Sequence, residues 1–585
     1  MGICEFPTIK RRNSVKIEDC QNSKIAFTFP KGEYFFTKFS NFTNILKNII
    51  VDDILFDKIH LAISYNNKIK KGDLHFHFKF EMLNENDGTY YEIGETESLT
   101  GENIIKYNKN ICVYYLFEKN QCIKVSCLQN NNNIYNFSFT IGNLMGSNAN
   151  RLSFPVKTSN NQEIIGEISV DGNTTTKTKK ICTFDVEIVI KFNDNENENY
   201  KGGSEHTFFY GISNCLDGTN LKYIYKSSEF TLSQTKNIYK NSFSITSDKL
   251  CLNDKNKNIK IEIFQSALDS TNNNPIFHET IKINQIESQK DGLSLLMQQH
   301  ISNDKESNHY IFESCHLRIK YTEREMISFL EYIKGGMQIN FITGIDFTNS
   351  TDSPNNPRSL HYSAINSPNS YENLISSFGN IISYYDNEQL FLSFGIGAKK
   401  DPSQEMIDCF PLTMKNDTKV KGIKNMIQVY KESITKMIQG DVLNITPIIN
   451  ESISIIKKEI DEGMNKYYIL VLLINTSCKD IQEMKNALVR ASEYPISIII
   501  VGIGEGNFEE MENLNKDDNQ IINSNGDKIK RDFIQFCLLN KYNHKDNNQV
   551  KLYGKLVNEV LSEIPRQVEE FYEMEKGMKF SLLSN

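Results

Sequence analysis

Apolar and polar residues alternate with a period of two over much of residues 55–320, in short runs separated by Asn, Gly and Asp clusters. Such alternation is typical of strands with one buried face, and many short strands with frequent turns favour β-sandwiches. We therefore predict two all-β sandwiches, over residues 51–172 and 180–322, joined by a Thr- and Lys-rich linker. The clearest runs lie at Ile59–Tyr65, Leu74–Met82, Phe184–Phe192 and Ile259–Phe264.

After residue 335 the pattern changes to apolar strands that alternate with amphipathic helices. This succession predicts a doubly wound α/β domain, with a parallel sheet between helices, over residues 328–575. A polar leader at 1–50 and a tail at 576–585 complete the division of the chain. Strands are predicted at Met337–Asp346, Leu390–Ile396, Tyr467–Ile474 and Ile496–Val501, and helices at Ser370–Tyr385, Val420–Met437, Pro447–Glu462 and Asp480–Ser492.

Charge and composition narrow the class of protein. The net charge of −8 provides no global basic field, so we expect no nucleic-acid partner. No run approaches the roughly 18 apolar residues of a membrane helix, and the N-terminus lacks the apolar core of a signal peptide. We therefore expect a cytoplasmic protein whose 12 cysteines are mostly reduced thiols.

One candidate binding loop follows the first strand of the α/β domain. Asp346, Thr348 and Ser350 place a carboxylate and two hydroxyls at every second residue. In an extended loop these oxygens converge on one side, where they suit a hard divalent cation. The same pattern is common in turns and caps. Its position directly after a buried strand favours a site, because ligands of open α/β folds lie there.

A series of segments over roughly the last 250 residues resembles the copine family in order and spacing. The resemblance implies two C2 domains followed by a von Willebrand A-type domain. The two predicted sandwiches resemble the tandem C2 domains by position and β character. The segments include SFLEYIKGGMQINFITGIDFTNS (Ser328–Ser350), NPRSLHY (Asn356–Tyr362), YYDNEQLFLSFGIGA (Tyr384–Ala398), ALVRASEYPISIIIVGIGEGNFEEME (Ala487–Glu512) and LSEIPRQV (Leu561–Val568).

The resemblance implies a metal-ion-dependent adhesion site built from three loops. The first is the Asp346 loop, which is intact here. The second supplies a threonine, and the corresponding position lies close to Leu443, while Thr446 lies further on. The third supplies an aspartate, where this chain has Asn475.

These two replacements change the expected chemistry of the site. A lost carboxylate removes charge neutralisation that Mg²⁺ or Ca²⁺ requires. We therefore expect the site to bind Mg²⁺ or Ca²⁺ more weakly than the family norm, or not at all. Asn475 could orient a water, and Asp441 or Asn444 could substitute as ligands if the second loop shifts.

Calcium binding by the predicted C2 domains is also expected to be weakened or lost. Calcium-binding C2 domains gather carboxylates from two loops at one tip of the sandwich. In the first sandwich, residues 119–162 contain no Asp or Glu, and the loop 66–74 has only Asp73. We expect no calcium site there. The same loop carries three lysines that suit an anionic membrane: Lys68, Lys70 and Lys71.

The second sandwich has more acidic residues but few at the second loop. Asp194, Glu196 and Glu198 follow one strand, while the loop Gln265–Pro275 holds only Asp269. A solvated acidic loop is the favoured interpretation, with Asp269 as a weak candidate calcium ligand.

The extreme N-terminus offers a candidate anchor. Gly2 suits myristoylation and Cys4 palmitoylation, and a basic run follows. One acyl chain anchors only marginally, whereas a second chain or basic patch makes attachment stable. Phe6 stands where Ser or Thr is preferred, so an unmodified leader is an open alternative. The basic run is Lys10, Arg11 and Arg12.

These observations favour a peripheral membrane adaptor that is not an enzyme. Its partners would be an anionic phospholipid membrane, reached with doubtful calcium dependence, and proteins bound by the α/β domain. It would lie in the cytoplasm, at the plasma membrane or another internal membrane. The alternatives are a ubiquitin-ligase-related component and an assembly scaffold independent of calcium and membranes.

Overall fold

The computed structural model describes the chain from residue 57 onwards, with internal gaps. The described ranges are 57–67, 75–84, 88–99, 104–129, 132–157, 164–174, 178–192, 205–215, 221–251, 253–266, 275–299, 312–348, 353–364, 367–415, 417–516, 521–542 and 549–583.

The first sandwich forms because apolar side chains alternate along its strands. In the strand Phe76–Leu83, buried and half-buried residues alternate, so one face packs into the core. The elements are β1 Asp57–Asn67, β2 Phe76–Leu83, β3 Tyr90–Glu95, β4 Ile104–Lys106, β5 Ile111–Tyr115, β6 Cys122–Gln129, β7 Asn132–Thr140, α1 Ile141–Gly146, β8 Arg151–Lys157 and β9 Ile164–Thr174. They pair as β4-β1-β9-β8, with β5 also on β1, and as β3-β2-β6-β7.

The second sandwich begins at Thr178 and ends at Ile327, so Lys179 and Lys180 lie in its first strand rather than in a linker. The elements are β10 Thr178–Phe192, β11 His206–Cys215, β12 Leu221–Lys226, β13 Phe230–Leu232, β14 Ile238–Thr246, α2 Ser247–Cys251, β15 Asn258–Gln265, β16 Phe277–Lys282, α3 Ile283–Glu287, β17 Leu293–Leu296, β18 Gln298–Gln299 and β19 Phe312–Ile327. They pair as β14-β10-β19-β17 and as β12-β11-β15-β16-β18, with β13 on β11.

The α/β domain has the predicted parallel sheet, in the order β21-β20-β26-β27-β28. Every residue of Lys466–Ile474 is buried, as expected for a strand covered on both faces. The elements are α4 Phe329–Lys334, β20 Gln338–Asp346, α5 Ser370–Ile382, β21 Leu390–Ile396, β22 Ala398–Lys399, β23 Phe410–Pro411, β24 Lys419–Lys421, α6 Ile423–Lys436, β25 Ile438–Gln439, α7 Thr446–Asp461, β26 Lys466–Ile474, α8 Ile481–Ala491, β27 Ile496–Gly502, α9 Glu509–Lys516, β28 Ile534–Leu538, α10 Gln549–Leu561 and α11 Ile564–Leu583.

Local signals explain where the helices flanking the site begin. The side chain of Asn369 caps α5 by accepting a hydrogen bond from the Glu372 N–H. Helix α7 has a proline in its first turn, where the missing N–H costs no hydrogen bond. Both helices begin near the carboxyl edge of the sheet. We define this edge as the one where the parallel strands end.

The first sandwich packs against the opposite, amino edge of the sheet. The hydroxyls of Tyr115 and Tyr385 lie 2.8 Å apart in a buried position. The Phe117 ring packs against Phe329 at 5.3 Å and Tyr385 at 5.0 Å between centroids. At Gly146 a Cβ atom would lie 1.9 Å from the carbonyl oxygen of Tyr384. The two domains therefore share one continuous apolar core.

The second sandwich is tied to the same edge by a buried carboxylate. Glu569 of α11 is 4% exposed. Its Oε1 accepts hydrogen bonds from Lys179 Nζ at 2.8 Å and from Phe329 N at 2.7 Å. This carboxylate joins the last helix to the first strand of the second sandwich and to α4.

Strand register shows which end of each sandwich meets the α/β domain. In the first sandwich, Ile59 pairs with Thr174, and Thr174 also contacts the α/β domain through Glu331 at 2.9 Å. The strands run from there to a far tip, where Asn67 pairs with Gly166. In the second sandwich the far tip lies where β10 and β19 meet at Phe192. Both far tips and the carboxyl edge of the sheet point away from the interface.

Candidate functional site

Asp346 ends β20 at the carboxyl edge and is fully buried. Its Oδ1 accepts two hydrogen bonds from Thr348, from the main-chain N and from Oγ1, each 2.7 Å long. Its Oδ2 accepts one from the main-chain N of Asn475 at 2.9 Å. Burial raises the pKa of Asp346 to about 6, although these hydrogen bonds favour the charged form.

Asn475 reaches this carboxylate because β26 lies parallel to β20 and both strands end at the same level, at Ile474 and Asp346, so that Asn475 directly follows β26. The side-chain Nδ2 of Asn475 donates to the carbonyl oxygen of Thr348 at 2.8 Å. Two hydrogen bonds, both donated by Asn475, therefore tie the third loop to the first. The Oδ1 of Asn475 is buried and has no hydrogen bond to the residues that the structure describes.

The second loop runs alongside the first. Gly440 N donates to the carbonyl oxygens of Phe347 at 3.2 Å and of Gly397 at 3.0 Å. Gly397 has a φ of 72°, and a Cβ atom there would lie 2.1 Å from Cγ2 of Thr348. Glycine is therefore required at Gly397 by both backbone conformation and space.

The structure brings Leu443 into the apolar core and leaves it 1% exposed. Thr446 begins α7, and its buried Oγ1 has no hydrogen bond to the described residues. The alternative ligands contact other groups. Asp441 is exposed, 3.9 Å from Lys399, and Asn444 accepts from the Thr446 N–H at 3.1 Å.

This set of donors fits a tightly held divalent cation poorly. Hard cations require several oxygen ligands and carboxylate charge. Asp346 supplies one carboxylate, Leu443 supplies no side-chain oxygen and Asn475 supplies no charge. Across the described ranges, no group of three or more His, Cys, Asp or Glu residues could hold a metal ion.

A buried polar cluster beside Asp346 was not predicted as part of the site. His361 Nδ1 lies 2.8 Å from the Tyr430 hydroxyl, and its ring stacks on Tyr371 at 4.5 Å. Asn369 Nδ2 donates to the carbonyl oxygen of His361 at 2.9 Å. Burial lowers the pKa of His361 to about 4, so the imidazole is neutral near pH 7. The only sequence signal was the family-like segment NPRSLHY, which contains His361.

The cluster also contacts the Asp346 loop. The rings of Phe347 and His361 lie 5.9 Å apart, and those of Phe347 and Tyr430 lie 6.5 Å apart. Burial raises the pKa of Tyr371 well above its usual value, and the charge of Asp346 adds to this effect. The cluster therefore packs beneath the first loop and supports it.

Several predicted site residues lie outside the described residues, and their roles stay predictions. These residues are Ser350, Asp269, Gly2, Cys4, Lys10, Arg11, Arg12, Lys68, Lys70 and Lys71.

In the described part of the chain, no helix is long and apolar enough to span a bilayer.

The chain is a multidomain protein of two β-sandwiches followed by a parallel α/β domain. An Asp-x-Thr loop lies at the carboxyl edge of the α/β sheet. Residues 359–579 match the family model described as Copine. Over 250 residues the chain is 35% identical to Copine-A of Dictyostelium discoideum. This part of the chain is therefore similar to the copine family. The aligned region covers 43% of this chain and 40% of Copine-A, so the chain matches less than half of that relative.

Two solved structures are distant matches to parts of the chain. A von Willebrand factor type A protein from Catenulispora acidiphila is 10% identical, with a TM-score of 0.25, and the match covers 42% of this chain and 44% of that one. The calcium-bound pair of C2 domains of Extended-Synaptotagmin 2 is 8% identical, with a TM-score of 0.17, and the match covers 46% of this chain and 97% of that one. These similarities are weak, so the description of the fold rests on strand order and pairing.

Proposed function

We propose that this protein is a peripheral membrane adaptor of the cytoplasm. The far tips of the sandwiches bind anionic phospholipid, and the carboxyl edge of the α/β domain binds a protein partner. The observation that carries this proposal is the position of the interface. Both sandwiches contact the amino edge of the sheet, through Tyr385 and Glu569, so the far tips and the carboxyl edge are left available together.

Basic residues supply the membrane side of the proposal. Lys68, Lys70 and Lys71 follow directly after Asn67, the last residue of β1 at the far tip of the first sandwich. Each Lys near an anionic bilayer surface contributes about 1 kcal/mol of attraction. The run Lys10–Arg12 and acyl chains on Gly2 and Cys4 would add to this attachment. Because the loop 66–74 holds only Asp73 and residues 119–162 hold no Asp or Glu, we propose that this attachment does not require calcium.

Liposome flotation of the full chain tests the membrane proposal. The protein should float with phosphatidylserine vesicles but not with phosphatidylcholine vesicles, and a calcium chelator should leave the bound fraction unchanged. Reversing Lys68, Lys70 and Lys71 to Glu should lower the bound fraction at least severalfold. The matched control reverses three exposed lysines of the α/β domain to Glu: Lys421, Lys424 and Lys457.

Two results would contradict the proposal. Equal losses in the two triple variants would show that net charge, rather than the far tip, governs binding. Absence of the wild-type protein from the floated fraction would favour a membrane-independent assembly scaffold instead.

A further inference from the structure

We propose that Asn475 and Leu443 replace a divalent cation at the carboxyl edge with hydrogen bonds and apolar packing. The loops around Asp346 would then hold their shape without metal. One consequence of this inference rests on the proposed function. Without a cation, the carboxyl edge would bind its protein partner through direct contacts with the protein's own residues.

The first step concerns the coordination capacity of Asp346. Each carboxylate oxygen has two lone pairs. Both lone pairs of Oδ1 face donors of Thr348, at 2.7 Å each, and Oδ2 accepts from the N–H of Asn475. A cation approaching Oδ1 would have to displace a hydrogen bond, and the buried donor would be left unsatisfied.

The second step concerns the side chain of Asn475. Its Nδ2 donates to the carbonyl oxygen of Thr348 at 2.8 Å, so this contact needs a donor. An aspartate in the same position would place a carboxylate oxygen against that carbonyl and close to Asp346. A bound cation would offset the repulsion between these oxygen atoms. The amide group of Asn475 avoids the repulsion, because it donates a hydrogen bond to the same carbonyl oxygen. Asn475 therefore favours the cation-free arrangement.

The third step concerns the second loop. Leu443 is buried among apolar residues that include Ile448 and Leu472. Its carbonyl oxygen accepts from the N–H of Lys479 at 2.9 Å, which fixes the loop through the main chain. A threonine at this position would bring a hydroxyl to the edge, whereas leucine brings none. The loop is positioned by packing and a main-chain hydrogen bond.

Cation titration of the full chain tests the inference, followed by thermal unfolding and by calorimetry. Wild-type protein should show no saturable heat and no rise in Tm with Mg²⁺ up to about 10 mM, a concentration above the Kd of the weakest divalent-cation sites of proteins. The double variant Leu443→Thr/Asn475→Asp should have a lower Tm than wild type in chelator. Saturating Mg²⁺ should raise the Tm of that variant by about 5 °C or more.

Asn475→Ala is the matched control, because it removes the amide without adding a charge. It should lower the Tm to the same extent with and without Mg²⁺. Saturable Mg²⁺ binding by wild type with a submillimolar Kd would overturn the inference. A folded double variant, with wild-type circular dichroism and no response to Mg²⁺, would also overturn it.

The wild-type titration decides the question even if the double variant does not fold. Flotation with chelator present reports on the far tips alone. Failure of the membrane proposal and failure of this inference are therefore separate results.

Discussion

At the scale of single residues, two neighbouring groups with opposite pKa shifts lie beneath the carboxyl edge. Burial raises the pKa of Asp346 to about 6 and lowers that of His361 to about 4. In both cases the buried site disfavours the charged form. Lowering the pH therefore stabilises the folded state through Asp346 and destabilises it through His361. A substitution is needed to measure the two effects separately.

The pH dependence of stability should report on His361. An unfolded histidine takes up a proton near pH 6.5, whereas the buried one does so near pH 4. The stability that neutral His361 contributes is thus complete above pH 6.5 and falls as pH decreases to 4, by about 3 kcal/mol. His361→Phe keeps a ring on Tyr371 but loses the hydrogen bond to Tyr430. It should cost about 1–3 kcal/mol at pH 7.

The test is the difference in unfolding free energy between wild type and His361→Phe, measured calorimetrically at several pH values. The wild-type advantage should fall by about 3 kcal/mol from pH 6.5 to pH 4, reaching zero or changing sign, because only wild type has a buried histidine to protonate there. Asp346 is present in both proteins, so its effect cancels. A difference that stays constant across this range would show that burial does not hold His361 neutral.

At the scale of elements, the close approach of two loops depends on a glycine. Gly397 and Gly422 have similar φ angles, 72° and 78°, in the same domain. An added Cβ at Gly397 would meet Thr348, whereas at Gly422 it would meet nothing within 4 Å. The pair separates the cost of a positive φ from the cost of a steric clash.

Gly422→Ala should destabilise the protein by about 1–3 kcal/mol, which is the backbone cost alone, because a φ of 78° with a ψ of 150° is a conformation that side chains rarely adopt. Gly397→Ala should cost at least about 2 kcal/mol more, because the first loop has to move away. Denaturant titration of both variants measures the two values. Equal losses of unfolding free energy in the two variants would mean that the first loop moves away from the added Cβ atom at no free-energy cost. The close contact between Gly397 and Thr348 would then not limit which residue can stand at position 397.

The elements of the α/β domain were largely predictable from the sequence. Leu390–Ile396 matches its prediction, and the helix predicted at Asp480–Ser492 is Ile481–Ala491. Long apolar runs and helical periodicity give strong signals there. The contact of Asp346 with Asn475 spans 129 residues. Only the parallel order of β20 and β26 brings them together, and no local pattern encodes that order.

The linker and the interface were less predictable. Polar residues such as Lys179 and Lys180 indicated a linker, yet both lie in β10, because pairing with β19 outweighs local preference. Lys179 is also held by Glu569, a contact across 390 residues. Contacts between residues so far apart in the chain produce no periodic pattern in the sequence.

At the scale of the whole molecule, the first sandwich and the α/β domain share one core. Tyr115 and Tyr385 should therefore show strong energetic coupling. Tyr115→Phe and Tyr385→Phe should each cost about 1 kcal/mol, since each removes the hydrogen bond between the two hydroxyls. The double variant should cost less than the sum of the two single ones, because the shared hydrogen bond is lost only once. Calorimetric unfolding of the four proteins completes the cycle. Additive losses would mean that the two domains do not share a buried hydroxyl pair.

The interface also has a consequence for how the protein is made. Tyr115 precedes Tyr385 by 270 residues, which at ordinary rates of synthesis is a delay of roughly 15 to 50 s. During that time the nascent first sandwich presents Tyr115, Phe117 and α1 to solvent, with the surface that will receive them not yet translated. Transiently exposed apolar surface of this kind is prone to aggregation until it is covered. The face is buried only when Phe329 and Tyr385 have been synthesised and can pack against Phe117.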